Sequence, residues 1–302
     1  MEKVIIIGAG PAGISAALYA VRGNLDPLVV DNGIGALEKA EKIENYYGLE
    51  HPLSGQELYD TGIAQAKALG VRILDAQVLG VGGFDTFVVK TTEGEFETQS
   101  LILATGSKRA APKIPGVKEF EGKGVSYCAI CDAFFYRGKD VAVLGNGDFA
   151  MHEAKELSNT ASTVTIYTNG EEPEFTPEGN ISVNTMKIQS VEGDDLVSGI
   201  RLAPDVQAQE INVEAGRQAN DFCPADGVFI AMGTAGSTEI ARQMGAELTE
   251  KGNIKVNENM ETTIPGLYAA GDCTGGLLQV AKAVYEGAQA GINAGKYVRS
   301  LK

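Results

Sequence analysis

Two cysteines separated by two residues, Cys128-Ala129-Ile130-Cys131, are followed at once by a carboxylate, Asp132. At this spacing two thiols can close a disulfide whose strain and thiolate chemistry suit exchange with another disulfide. The same pair could instead be half of a zinc site, which needs two further ligands. The remaining candidates are the single cysteines Cys223 and Cys273 and the histidines His51 and His152, with no second Cys-x-x-Cys. The spacing therefore favours a redox dithiol and no metal, with Cys223 and Cys273 as inert, buried-type thiols. Both histidines are expected to be structural or exposed. Asp132 is either a solvated turn residue or, if burial raises its pKa, the group that gives and takes the proton thiol exchange requires.

Two glycine turns flank that pair in the sequence. In Gly8-x-Gly10-x-x-Gly13 the first glycine makes a tight turn and the second lets a pyrophosphate approach the backbone. The third allows close helix–strand packing, and the helix N-terminus favours the phosphate charge. Asp31, 23 residues after Gly8, stands where a carboxylate can accept from a ribose hydroxyl. The motif predicts dinucleotide binding without choosing between FAD and NAD. Gly145-x-Gly147-x-x-Ala150 repeats the pattern, alanine being tolerated at the third position. Here the equivalent offset from Gly145 lands on Thr168, which is neither a carboxylate for a ribose diol nor an arginine for a 2′-phosphate. No basic residue lies between Lys155 and Lys187, whereas Glu156, Glu171, Glu172, Glu174 and Glu178 are acidic. A 2′-phosphate would meet an unfavourable field with no partner. NADH stays open if Glu171 or Glu172 folds back to the ribose, but a vestigial site is the favoured reading.

Positioning these groups requires strand–turn–helix units. Val4–Ile7 reads as a strand, followed by the first turn, a helix carrying Ala16, Ala17 and Ala20, and a strand from Pro27 to Asp31. A helix to Leu69 and strands at 71–74, 87–90 and 101–104 follow, the last ending in the turn Ala104-Thr105-Gly106. Pro112, Pro115 and Gly116 read as a linker. The second unit runs from Val141–Leu144 through a helix to Leu157 and a strand at 164–167, then short strands and polar turns to Asp226. A strand at 228–231, a hairpin-like region after Gly245, the run Leu267–Asp272 and a final helix complete the chain. The expected fold is α/β: two Rossmann-like three-layer domains, one inserted in the other, with 113–245 inside 1–112 plus 246–302.

Composition sets the limits. In 302 residues there are 25 basic and 40 acidic side chains, a net charge of −15, with 44% apolar residues and 38 glycines. That describes a folded globular chain and argues against sequence-independent nucleic-acid binding or anionic membrane surfaces. Residues 113–245 hold 10 of the basic and 20 of the acidic groups, so two thirds of the excess lies on the segment with the second glycine turn. Val4–Val21 has no charge, but the glycine turn interrupts it as a signal or spanning helix. No membrane span and a cytoplasmic location are expected.

Taken in order, these features resemble the low-molecular-weight thioredoxin reductases over essentially the whole chain. The resemblance rests on Gly8-Ala-Gly-Pro-Ala12-Gly13, Glu44-Asn45, Ala104-Thr105-Gly106, Cys128-Ala-Ile-Cys131-Asp132, the run from Asp132 to Lys139, and Ala270-Gly271-Asp272. It implies FAD in the first domain, with Gly271 and Asp272 near its ribityl or pyrophosphate portion and Asn45 near the flavin. It also implies that Cys131 faces the flavin, that Cys128 attacks the partner's disulfide, and that Asp132 is the acid/base. A homodimer, and two domains that rotate about linkers near 111–116 and 244–247, follow from the same resemblance.

Three departures from the family pattern matter. The basic nucleotide motif is replaced by Thr168-Asn169-Gly170-Glu171-Glu172, the Gly-Gly-Gln-Leu run by Gly33–Leu37, and Arg-Gln-Ala by Gln279-Val280-Ala281. The combination resembles the ferredoxin-dependent flavin thioredoxin reductases. It implies a flavoprotein oxidoreductase that takes electrons from reduced ferredoxin and passes them through FAD and the dithiol to thioredoxin. The alternatives are an NADPH- or NADH-dependent thioredoxin reductase with an atypical nucleotide site, and a Cys-x-x-Cys redox sensor or binding protein. Because ferredoxins are acidic, docking requires a basic patch, for which Lys3, Lys39, Lys42, Lys108, Arg109 and Lys113 are the candidates.

Overall fold

A computed structural model describes residues 1–83, 85–106, 112–204, 221–233 and 236–301, apart from the side chains of Ile130 and Cys131. The chain divides into two compact units, Met1–Arg109 with Ala235–Lys302, and Ala110–Thr234. Each is described separately.

The first unit opens with β1 (Glu2–Ile7), α1 (Pro11–Arg22), β2 (Pro27–Asp31), α2 (Gly55–Ala68), β3 (Arg72–Asp75), β4 (Val78–Gly82), β5 (Phe87–Thr91) and β6 (Gly94–Leu103). Val4 to Ile7 are buried among neighbours on both faces, which is why β1 reads as an unbroken apolar run rather than an alternation. Pro11 supplies a preset φ at the first position of α1. Ser54 and Glu57 close a capping box at the start of α2. Strand order is β3-β2-β1-β6, all parallel, and β6 continues into an antiparallel meander with β5 and β4. The long β6 therefore joins the parallel and antiparallel parts of one sheet: its Gly94–Thr98 half pairs with β5 and its Thr98–Leu103 half with β1. β4 was not anticipated from the sequence. Its run Val78-Leu-Gly-Val-Gly82 carries two glycines, which mask a strand pattern.

The second unit contains β7 (Val125–Ser126), α3 (Ala129–Asp132), β8 (Asp140–Leu144), α4 (Asp148–Ser158), β9 (Thr163–Tyr167), β10 (Ile181–Asn184), β11 (Ile188–Gly193), β12 (Val197–Leu202), β13 (Phe222–Pro224) and β14 (Gly227–Ile230). A parallel sheet runs β10-β9-β8-β14-β7, beside an antiparallel β11-β12-β13 sheet. The chain returns to the first unit with α5 (Ser237–Gln243), β15 (Leu267–Ala269), which pairs with β6, and α6 (Val280–Ser300). α6 lies close against α1 because Gly287 and Gly291 have no Cβ: one there would sit 2.0 Å from the Ala12 carbonyl oxygen and 2.3 Å from that of Ala16. Part of the glycine excess is spent on this helix contact.

Both expected boundaries move. Pro115 is not free linker: its carbonyl accepts from the Val191 N–H, and a Cβ on Gly116 would lie 2.0 Å from the Val191 carbonyl oxygen. The stretch is packed onto β11 and belongs to the second unit. On the return, α5 and the Met244–Glu247 stretch belong to the first unit. There Ala246 N–H bonds the Ala241 carbonyl and Glu247 N–H the Thr263 hydroxyl. The second crossing precedes α5 rather than falling at 246.

Candidate functional site

In the first unit the glycine turn is built as its spacing requires. Gly8 adopts a φ of +104° and donates to the Val30 carbonyl at 2.8 Å. A Cβ on Gly8 would lie 2.5 Å from the Ala104 carbonyl oxygen, and one on Gly13 1.8 Å from the Gly8 carbonyl oxygen. Gly10 is different: within 4 Å of its missing Cβ there is nothing. Two glycines thus let protein meet protein, and the middle one keeps open the space a pyrophosphate needs.

Of the other expected residues, Gly271 and Thr105 lie against this turn, and Asn45 and Gln279 meet each other. Ala12 is buried, and its methyl lies 2.9 Å from where a Cβ on Gly271 would be. Gly271 has a φ of +87°, and its N–H donates to Glu286 Oε2 at 2.8 Å. Lys282 Nζ donates to the Gly271 carbonyl at 2.7 Å and pairs with Glu286 at 2.9 Å. Burial raises the Asp272 pKa, Lys282 opposing and Glu286 adding to the rise. Thr105 and Ser237 are doubly bonded: Ser237 N–H donates to Thr105 Oγ1 at 2.8 Å, and Thr105 N–H to Ser237 Oγ at 3.1 Å. Gly106 follows with a φ of +83° and open space at its Cβ. Asn45 Nδ2 donates to Gln279 Oε1 at 2.9 Å, joining residues 234 apart in the chain. Gln279 stands at the N-cap position of α6 without a side-chain capping bond, and the helix's first residues are Val280, half-buried, and Ala281, exposed.

Asp31 ends β2 as expected, accepting from the Gly33 N–H at 3.0 Å and from the Tyr59 hydroxyl. Burial, then the bond to Asp31, pushes the Tyr59 phenol far up from its ordinary value. Asp31, Gly33, Tyr59, Lys67 and Asp75 line a cleft of about 450 Å³. Tyr59, Ser237, Lys282 and Glu286 escaped the sequence reading. Only the i,i+4 Lys282–Glu286 spacing on the last helix carried a local signal.

The second unit repeats the turn but not the open space. Gly145 N–H donates to the Tyr167 carbonyl at 3.1 Å, and a Cβ on Gly145 would lie 2.3 Å from the Ala231 carbonyl oxygen. At Gly147, the counterpart of Gly10, a carboxylate oxygen of Glu174 stands 4.0 Å from the Cβ position. Glu174 is held there by its N–H, which donates to the Asn146 carbonyl at 2.7 Å. Thr168, at the offset where a ribose partner belongs, is 2% exposed and gives its hydroxyl to the Glu171 carbonyl. Glu171 and Glu172 are both exposed.

Around the dithiol, Cys128 is 2% exposed and disulfide-bonded. Its N–H donates to Ser126 Oγ at 3.1 Å, and the next N–H, of Ala129, to Glu153 Oε2 at 2.7 Å. The Cys131 side chain lies outside the described residues. Asp132 is half-buried, its N–H bonded to the Cys128 carbonyl at 3.3 Å. It faces Tyr136, whose phenol pKa is raised first by burial and then by Asp132 and Asp226. Phe134 and Phe135 directly follow, 73% and 68% exposed, with their rings edge to face at 6.2 Å.

The two remaining thiols differ from one another. Cys273 is fully buried, and that burial pushes its pKa up to about 12. Cys223 is half-buried, against the expectation of a buried thiol, because it lies on β13, a three-residue strand at the end of the smaller sheet. Alkylation with iodoacetamide at pH 8 is expected to label Cys223 and spare Cys273. At that pH a thiol of pKa about 12 is thiolate in only roughly one molecule in 10⁴, rising tenfold per pH unit. Peptide mass mapping reads the result, and equal labelling would contradict it. Among the described residues, no cluster of three or more His, Cys, Asp or Glu side chains could hold a metal ion.

The comparisons agree with this geometry. Residues 2–287 match the family model described as pyridine nucleotide-disulphide oxidoreductase. The chain is 37% identical to a thioredoxin reductase of Aquifex aeolicus over 89% of its length and 84% of the relative's. It is 34% identical to that of Bacillus subtilis over 99% and 95%. Among solved structures it resembles the atypical thioredoxin reductase TRi from Desulfovibrio vulgaris Hildenborough (39% identity, 99% of each chain, TM-score 0.87). It also resembles a ferredoxin-flavin thioredoxin reductase from Clostridium acetobutylicum (30% identity, 99% and 98%, TM-score 0.68). With an open cradle at Gly10, a carboxylate, Asp31, at the end of β2 and Gly271 packed against Ala12 of the same turn, the first unit fits FAD, the cofactor of this family. The chain belongs to the pyridine nucleotide-disulphide oxidoreductases, as an FAD-dependent disulfide oxidoreductase of the low-molecular-weight thioredoxin reductase type.

Proposed function

We propose that this protein reduces the disulfide of a thioredoxin with electrons taken from reduced ferredoxin rather than from a pyridine nucleotide. The observation that carries the donor is the exposed Glu174, whose carboxylate oxygen lies 4.0 Å from the Cβ position of Gly147 and so puts negative charge beside the second glycine turn. Like charge there opposes a dinucleotide, and the buried, self-bonded Thr168 offers it no ribose partner. Bound FAD supplies the exchange between one-electron and two-electron chemistry that such a donor demands.

The chain's own residues supply the rest. Asp31, Asn45, Thr105, Gly106, Gly271, Asp272 and the Gln279–Ala281 start of α6 are the proposed FAD contacts, beside Gly8, Gly10, Ala12 and Gly13. Cys128 and Cys131 form the exchanging dithiol, Cys128 attacking the partner and Asp132 moving the thiol proton. The exposed pair Phe134 and Phe135, next in the chain, offers an apolar contact for a protein substrate beside the reacting sulfur. Of the candidate ferredoxin-docking cations, Lys42 is exposed and paired with Glu44 at 2.8 Å, and Lys108 and Arg109 lie outside the described residues. A cytoplasmic homodimer is part of the same reading. Among the described residues no helix is long and apolar enough to cross a membrane.

Anaerobic mixing of the oxidised flavoprotein with NADPH, NADH or reduced ferredoxin tests the donor. Bleaching of the flavin's visible absorbance is expected with ferredoxin alone, followed by thioredoxin reduction. Rapid bleaching by either nucleotide would sink the reading.

A further inference from the structure

The second unit keeps a complete strand–glycine turn–helix architecture although its turn has the exposed Glu174 carboxylate beside Gly147. Its helix α4 does something else. Glu153, in the middle of α4, is 1% exposed, and its Oε2 accepts the Ala129 N–H at 2.7 Å. Ala129 is the residue after Cys128 and the first of α3, the one-turn helix that carries the Cys-x-x-Cys run. A carboxylate in so dry a place is costly unless it is used. Its second oxygen, Oε1, has no hydrogen-bond partner among the described residues, and His152 Nδ1 stands 3.6 Å away, beyond hydrogen-bond reach. Among the described residues the Ala129 N–H is the donor that Glu153 accepts from, with the His152 ring as its ion-pair neighbour.

We infer that Glu153 is a positioning residue for the dithiol, tying the peptide next to Cys128 to α4, and that the second dinucleotide-type unit serves as the scaffold of this contact. Two anchors then hold consecutive N–H groups of the turn: Ser126 on β7 takes that of Cys128, and Glu153 on α4 takes that of Ala129. Neither N–H is available to the sheet, since β7 has already ended. An anchor of this kind holds the backbone of the turn that carries Cys128, and with it biases the equilibrium between the disulfide and the two thiols. The inference rests on the disulfide oxidoreductase reading and is independent of the electron donor.

Two conservative variants separate reach from charge. Glu153→Asp keeps a carboxylate but is one methylene too short to reach the Ala129 N–H. Glu153→Gln loses the acid but keeps an acceptor oxygen at the same reach. The FAD-loaded variants are equilibrated anaerobically in mixtures of oxidised and reduced dithiothreitol, and the Cys128 thiol is quantified by alkylation and mass spectrometry. Thermal melting confirms that each variant is folded. E153D is expected to shift the dithiol–disulfide equilibrium constant at least about tenfold, about 30 mV for a two-electron couple. E153Q is expected to stay within about threefold of the wild type. An unshifted E153D protein, or an E153Q protein shifted as far as E153D, would overturn the inference. Because dithiothreitol replaces both partners, failure here is distinguishable from failure of the proposed ferredoxin-to-thioredoxin reaction.

Discussion

Cys128→Ser is expected to reduce thioredoxin-reducing turnover by roughly 10³-fold or more while the protein stays yellow. Serine nearly matches cysteine in volume, so the 2%-exposed site keeps its packing and its N–H bond to Ser126. What disappears is the sulfur. A hydroxyl at this position cannot form the disulfide in which Cys128 is held, and at neutral pH it is a far weaker nucleophile than a thiol. The proposed flavin contacts lie in the unit Met1–Arg109 with Ala235–Lys302, and Cys128 lies in the other, so flavin content should not change. Insulin-coupled thioredoxin reduction measures the loss, and the visible spectrum of the purified protein measures the flavin. Turnover within tenfold of the wild type would remove Cys128 from the exchanging pair. The half-buried Cys223 is the control, since Cys223→Ser should leave turnover unaltered.

The second large effect separates two glycines three residues apart. At Gly13 an added methyl would lie 1.8 Å from the Gly8 carbonyl oxygen, and neither backbone can retreat without opening the contact between β1 and α1. Overpacking of this kind costs about 1–3 kcal/mol or more, and here it also deforms the cradle. Gly13→Ala is therefore expected to give a colourless protein with a clearly lowered melting temperature. At Gly10 an added methyl meets nothing within 4 Å, and the residue's φ of −71° is open to alanine. Gly10→Ala should melt as the flavin-free wild type does, yet bind FAD weakly, because the methyl points into the space left for the pyrophosphate. Flavin titration of the two flavin-free variants, beside their melting curves, reads both quantities. A yellow, stable G13A protein would show that the turn does not hold the cofactor in this way.

The same contrast explains what could be read before any coordinates. The spacing Gly8-x-Gly10-x-x-Gly13 is dictated locally at its end, where strand, turn and helix bring the Gly8 carbonyl onto the missing Cβ of Gly13, whereas the carbonyls that crowd Gly8 and Gly145 come from the distant Ala104 and Ala231. Asp31 and the Cys128–Asp132 run were singled out from spacing along the chain alone, while the groups that hold them, Tyr59, Ser126 and Glu153, come from other elements. The unbroken apolar run of β1 announces a strand buried on both faces. β4, weakened by two glycines, and α5, placed at a presumed boundary, carried no such periodicity.

By itself, then, the sequence determined the α/β class, the two glycine turns and the dithiol, each set by chemistry within one or two neighbouring elements. The tertiary structure decided the rest. Asn45 meets Gln279 across 234 residues, Tyr59 fixes Asp31, Glu153 holds the peptide beside Cys128, and Glu174 comes to stand beside Gly147. Each of these joins residues whose separation follows from how sheets and helices pack, and a polar side chain in a helix or loop shows no sign in its own neighbourhood of the distant partner it will meet. The acidic excess could be counted beforehand on the second unit. Only the fold turned one of those carboxylates, Glu174, toward the glycine turn.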